Sequence, residues 1–251
     1  MIKYKVSAVS YLNTIPFIYA INQSDLVDRI ELSLDYPSVC AQKLIENQVD
    51  IALVPVVVLK QNPQFTIISD FCIGAKEKVD TVCMYSDVPL LEIEEIYLDY
   101  QSRTSLELLK ILCREHWNFC PKFISSSEGF ENKVEGKTAA LIIGDRAFSA
   151  NGNYKFVFDL SEIWNEMTGL PFVFACWVSN KKIEDDFISE FNASLKTGVK
   201  NRDKAIEKEL INYPHCLNPV EYLNHKISYN LDAEKRRGMD LFLKKVILNK
   251  D

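Results

Sequence analysis

The chain has 251 residues, with 29 Lys and Arg against 35 Asp and Glu, giving a net charge of −6 at neutral pH. Its 47% hydrophobic and 25% charged residues, both signs mixed along the chain, are the composition of a globular protein and exclude a disordered one. An isoelectric point of about 5.3 and the lack of a long Lys/Arg stripe exclude a nucleic-acid partner.

In chain order, residues 5–10 and 30–36 read as strands, 37–47 as a helix and 50–55 as a buried strand. Residues 81–86 form an apolar β run, followed by a strand at 95–98, a helix at 105–115, and strands at 122–124 and 139–143. A second long apolar run occupies 172–179, and everything beyond it has helical periodicity, at 184–199, 202–212, 219–224 and 232–248. Strands alternating with helices predict an α/β fold with mostly parallel sheets. The runs 81–86 and 172–179 read as strands that cross between two lobes. The expected layout is a discontinuous first lobe of residues 1–86 and 180–251, with 87–179 inserted as the second. This is the two-lobed, periplasmic-binding-protein-like arrangement that holds small ligands in its cleft.

The longest apolar runs, such as 51–59, are far shorter than the roughly 20 residues that cross a bilayer. The N-terminus reads as a short strand rather than a leader, so a cytoplasmic protein with no membrane partner is expected. Cys40, Cys72, Cys83, Cys113, Cys120, Cys176 and Cys216 include no C-x-x-C pair and no His at ligand spacing, which points to free thiols and no metal site. His116, His215 and His225 stand beside aromatic, Pro or Asn residues and read as structural.

Strand-to-helix turns are where ligands bind in such sheets, because helix N-termini offer unpaired N–H groups. Four turns are dense in small polar residues. The first carries Ser10, Tyr11, Asn13 and Thr14 ahead of Pro16, and its N–H groups can serve a helix cap or a ligand. In the second, Ser102, Arg103, Thr104 and Ser105 place three hydroxyls and a guanidinium at a helix start, a site for an anion. Gly144 and Asp145 end the strand at 139–143, where Asp145 can cap a helix, pair with Arg146 or act as acid or base. The fourth, with Thr168 and Gly169 after Trp164, reads as a helix end with Gly at positive φ.

Residues 9–17, the segment 52–56 with Pro55, Ser102 to Ser105, 141–145 and 164–177 together resemble the chorismate dehydratase family of the futalosine menaquinone pathway, over roughly residues 3–180. The resemblance implies a periplasmic-binding-protein-like fold and the cofactor-free, metal-free loss of water from chorismate to give 3-[(1-carboxyvinyl)oxy]benzoate. It carries the catalytic positions onto Asn13, Thr81 and Asp145. Ser10, Tyr11, Thr14, Pro55, Ser102, Arg103, Thr104, Ser105, Gly144, Thr168 and Gly169 are the expected substrate contacts. Because no motif contains His or Lys, the expected base is the substrate's own enolpyruvyl carboxylate, with Asp145 as the alternative. The related dihydroxynaphthoate synthase uses a His, and no His here lies in a matching loop. A non-catalytic binder of a small carboxylate is the other reading.

Overall fold

The structure, a computed structural model, describes residues 3–210, 213 and 218–247. The chain begins β1 (Tyr4–Val9), α1 (Ile15–Asn22), β2 (Ile30–Asp35), α2 (Pro37–Ile45), β3 (Ile51–Pro55), α3 (Val58–Gln61) and β4 (Thr66–Ala75). It continues β5 (Val82–Ser86), β6 (Glu95–Leu98), α4 (Thr104–Glu115), β7 (Lys122–Ser125), β8 (Thr138–Ile143), α5 (Arg146–Ala150), β9 (Phe156–Asp159) and α6 (Leu160–Thr168). Then come β10 (Phe172–Ser179), α7 (Asp185–Lys200), α8 (Arg202–Glu209), α9 (Pro219–Glu221), β11 (Ser228–Asn230) and α10 (Ala233–Lys245).

The strands form two sheets, one in the order β11-β4-β10-β3-β1-β2 and the other β7-β6-β8-β5-β9. The fold is α/β with two lobes, but neither sheet is mostly parallel. β1 runs parallel to β2 and β3, and β6 parallel to β7 and β8, whereas β10, β11, β5 and β9 join antiparallel. The two runs expected to cross between lobes do not cross. Residues 82–86 pair only within the five-stranded sheet, and 172–179 only within the six-stranded one. By sheet membership the chain changes lobe in residues 76–81 and 160–171, not at 86/87 and 179/180. The reason is geometric: a strand paired on both edges spends its N–H and C=O groups on one sheet, so crossing is left to segments that pair on neither side.

β3 and β10 lie inside the six-stranded sheet and are wholly buried, which is why their sequences run apolar without alternation. β2 is an edge strand, and only Ile30 of its residues is buried. The long helices of the tail pack back on this sheet, α7 against α1 and β4, α10 against β10. Aromatic rings fill the seams. Trp177 meets Phe17 at 5.9 Å and Phe191 at 5.1 Å between centroids, and Trp164 meets Phe172 at 5.4 Å, so Trp164 belongs to the core. Six described cysteines are free, five of them buried, with Cys120 exposed. Cys216, His215 and the ends of the helices expected at 202–212 and 232–248 lie outside the described residues. Among the described residues no helix is long and apolar enough to cross a membrane.

The two crossovers are tied together by one side chain. The buried carboxylate of Asp159 accepts from the backbone N–H groups of Val79 (2.9 Å) and Asp80 (2.7 Å) on the outgoing crossover. Its other oxygen accepts from Ser161 (3.0 Å) and Glu162 (3.2 Å) at the start of α6 on the returning one. Asp159→Asn replaces one accepting oxygen by a donor that faces N–H groups. The variant should lose on the order of 3 kcal/mol in urea unfolding; a loss below about 1 kcal/mol would mean the crossovers do not depend on this carboxylate.

Candidate functional site

Where the lobes meet, residues from both line a partly open cavity of about 50 Å³. Val9, Pro37, Pro55, Ile73, Val79, Val82, Ile143, Phe174, Ala175 and Ile227 make most of the wall apolar, and the polar contribution comes from Tyr11, Asn13, Thr81 and Ser102 to Ser105. The apolar residues on β4, β5, β10 and the 76–81 crossover have no signal in local sequence, because nothing in a short window says which apolar side chain faces a cleft.

The lobes are closed over this space by hydrogen bonds that cross the cleft. The Tyr11 hydroxyl donates to Gln101 Oε1, and Ser38 N–H donates to the Gln101 carbonyl at 3.1 Å. Val57 N–H reaches Thr104 Oγ1 at 3.3 Å, and Arg103 Nη2 reaches Gln42 Oε1 at 3.0 Å. Leu12 N–H meets both carboxylate oxygens of Asp145 at 3.1 Å. Behind the Gln101 turn sits a fully buried Asp99, which accepts from Gln101 N–H and Ile143 N–H at 2.9 Å and from Arg146 Nη2 at 2.6 Å. Burial pushes the Asp99 carboxyl up and its bonds to Arg146 and the backbone pull it down; burial also holds the Tyr11 hydroxyl well above its usual range.

Arg103 is the distinctive charge. It lines the cavity, immediately precedes α4, and among the described residues has no carboxylate at ion-pair distance. Burial lowers its pKa, but a guanidinium remains charged at neutral pH. The positive end of α4 adds to the same potential. Ser102 Oγ accepts from Ser105 N–H at 3.2 Å, so part of this turn is a helix cap.

Gly144 is required here for two reasons. Its φ is +65°, and a Cβ would stand 2.5 Å from the Tyr11 ring. Its N–H also donates to the Thr81 carbonyl at 2.9 Å, tying the β8 turn to the crossover.

Of the residues expected from sequence, Tyr11, Asn13, Pro55, Thr81, Ser102, Arg103, Thr104, Ser105 and Gly144 come together around the cavity. The others do not line it. Thr14 is fully buried and donates to Asn13 Oδ1 at 3.1 Å, so it holds Asn13 rather than a ligand. Ser10 N–H donates to the Asp35 carbonyl at 3.0 Å. Thr168 accepts from Leu170 N–H and donates to the Trp164 carbonyl, and Gly169 ends α6 at φ +67°; that turn stops a helix and has no part in the cavity. Asp145 is also outside the lining, its oxygens turned to Leu12 N–H; burial raises its pKa to about 7, partly offset by that bond. His116 caps the end of α4 and His225 lies 3.9 Å from Glu221; neither lines the cavity. Among the described residues no cluster of three or more His, Cys, Asp or Glu side chains is arranged to hold a metal ion.

Two α/β lobes closed over one cavity define the class of periplasmic-binding-protein-like folds. Solved structures agree in fold. A protein of Archaeoglobus fulgidus superposes with a TM-score of 0.77 at 14% identity, covering 97% of this chain and 96% of that one. A Candida albicans protein described as having the generic periplasmic binding protein fold superposes at 0.68 with 12% identity, covering 100% and 92%. The periplasmic aliphatic sulphonate binding protein of Escherichia coli gives 0.61 at 12% identity, covering 99% and 92%. The chain belongs to the menaquinone biosynthesis family, whose sequence profile matches residues 4–247. Among curated proteins, a chorismate dehydratase of Thermus thermophilus is 27% identical over 164 residues, which span 58% of this chain and only 60% of that relative.

The raised pKa of Asp145 has a consequence for stability. Its carboxyl titrates at 3.8 in an ordinary environment and at about 7 here, so folding takes up a proton between these values. The stability this contributes is full below about pH 4 and is lost as pH rises through about 7. Wild type should therefore weaken from about pH 4 to about pH 7 by a component that Asp145→Asn lacks; identical slopes for both in urea unfolding would contradict it.

Proposed function

We propose that this chain is a chorismate dehydratase that converts chorismate to 3-[(1-carboxyvinyl)oxy]benzoate and water in menaquinone biosynthesis. The observation that carries the reading is Arg103. A cation with no carboxylate partner among the described residues, at a helix start on the wall of a largely apolar cavity, is matched to an anionic ligand with an apolar ring. Chorismate is such a ligand, a cyclohexadiene bearing two carboxylates. The curated Thermus thermophilus relative supports the same substrate.

The chemistry asks little of the protein. The hydrogen on ring carbon three is acidified through the diene by the ring carboxylate. Its C–H bond breaks, the electron pair becomes a ring double bond, and the neighbouring C–O bond breaks with release of the hydroxyl. Ether and hydroxyl are trans, so hydrogen and leaving group share one face and the elimination is syn. The enolpyruvyl carboxylate, carried on that same carbon three through its ether oxygen, takes the proton and passes it to the departing hydroxyl, which leaves as water. Asn13 and Thr81, both on the cavity wall, hold the side chain and hydrogen-bond the leaving oxygen. Closure excludes water and fixes the reactive conformer.

Asp145 fits the part of a lobe latch better than that of the base, since its oxygens already accept from Leu12 across the cleft. Asp145→Asn should accordingly retain substantial turnover at saturating chorismate. A loss of ~10²–10⁴-fold with binding intact would instead make Asp145 the base.

Arg103→Lys keeps the charge but cannot clamp a planar carboxylate with two parallel N–H donors. It should raise the KM for chorismate about tenfold, equivalent to about 1.4 kcal/mol. Unchanged kinetic constants would remove Arg103 from the site and the main support for this reading.

A further inference from the structure

Among the described residues, the tail beyond β10 contributes to the cavity through more than packing. Tyr222, which opens the turn after α9, and Tyr229 on β11 are both buried, and each hydroxyl ends on a residue of the proposed chemistry. Tyr222 OH lies 2.7 Å from Thr81 Oγ1, and Tyr229 OH donates to the Asn13 carbonyl at 3.0 Å. Both rings are held against rotation. Phe148 meets Tyr222 edge-on at 5.1 Å; Phe17 meets Tyr229 at 5.3 Å, with the Arg202 guanidinium 5.7 Å from the Tyr229 ring.

We infer that Tyr222 and Tyr229 are positioning residues for the dehydration, Tyr222 orienting the Thr81 hydroxyl and Tyr229 fixing the turn that carries Asn13. A phenol is a stronger hydrogen-bond donor than an aliphatic hydroxyl. Either oxygen can be the donor in this bond; with Tyr222 donating to Thr81 Oγ1, the single Thr81 hydrogen is left to point elsewhere. Thr81 lines the cavity, so that hydrogen is available to a leaving hydroxyl. Without the phenol, the Thr81 hydroxyl is free to turn its hydrogen away. At the other residue, Asn13 sits in the short 3₁₀ turn Leu12–Thr14, whose N-terminal residue makes no side-chain cap; the bond from Tyr229 anchors this turn to β11 from outside. Thr14 fixes the Asn13 amide oxygen from within the turn. The two proposed catalytic side chains are thus oriented from one chain segment.

The inference rests on the dehydratase reading, and the test separates the two. Tyr222→Phe and Tyr229→Phe keep the rings and their packing and remove only the hydroxyls. With the full chain and chorismate, Tyr222→Phe should lower kcat roughly tenfold while KM stays within about twofold and the thermal midpoint holds. Tyr229→Phe should act in the same direction. Tyr85→Phe is the control, because Tyr85 OH is also buried but bonds Asn151 at 3.0 Å, away from the cavity; its kcat should match wild type. In a Thr81→Val background, adding Tyr222→Phe should cost nothing further, since the phenol acts through the hydroxyl that is already gone. Wild-type kcat in the Phe variants, or losses confined to the thermal midpoint, would overturn the positioning role and leave the dehydratase reading standing. A wild-type protein that leaves chorismate unchanged would overturn both.

Discussion

One buried carboxylate, that of Asp159, fixes where the lobes stand. Two chain segments pass between the sheets, and four backbone N–H groups, two from each segment, end on its two oxygens. Those N–H groups lie in a region paired to neither sheet, so without the carboxylate those of Val79 and Ser161 would be buried donors lacking an acceptor. Burial pushes the Asp159 pKa up, and the donors pull it down. The consequence for the cavity is direct, because Val79, Thr81 and Val82 lie on or beside the clamped segment and line its wall.

Polar contacts cross the cleft, and beside them apolar residues of both lobes share one buried cluster. Gln101 receives Tyr11 on its side chain and Ser38 on its backbone, and Asp145 receives Leu12. Each of these hydrogen bonds is worth a modest net free energy. The chain as a whole carries a net charge of −6, which opposes an anionic ligand at long range. For the anionic ligand proposed above attraction has to be local, and the half-buried Arg103 beside the start of α4 is its proposed source.

Much of the fold was legible in sequence because the elements were regular. β6 begins and ends where the periodicity predicts, and the fully buried β10 reads as an unbroken apolar run. β4 escaped notice because Asp70 and Gly74 interrupt its pattern, and its pairing with β10 contains register shifts that break strict alternation. The lobe boundaries were misplaced for a related cause, since a strand's sequence says that it pairs but not with which sheet. At the site, the turns after β1, β6 and β8 were readable as clusters of small polar residues at strand ends. Thr168 and Gly169 carry the same composition, yet their groups are spent in stopping α6. Tyr222 and Tyr229 could not be found at all, because they reach Thr81 and Asn13 across separations of 141 and 216 residues.

The central claim is that the cavity removes one hydrogen and one hydroxyl from neighbouring carbons of chorismate. Chorismate labelled with deuterium at ring carbon three tests it most directly, with the product followed by mass spectrometry and ultraviolet absorbance. The account predicts an aromatic product lighter by one water, free of the label, and formed more slowly from labelled than from unlabelled chorismate. Labelled chorismate recovered intact from a protein that binds it would contradict the account and leave a binding protein in its place.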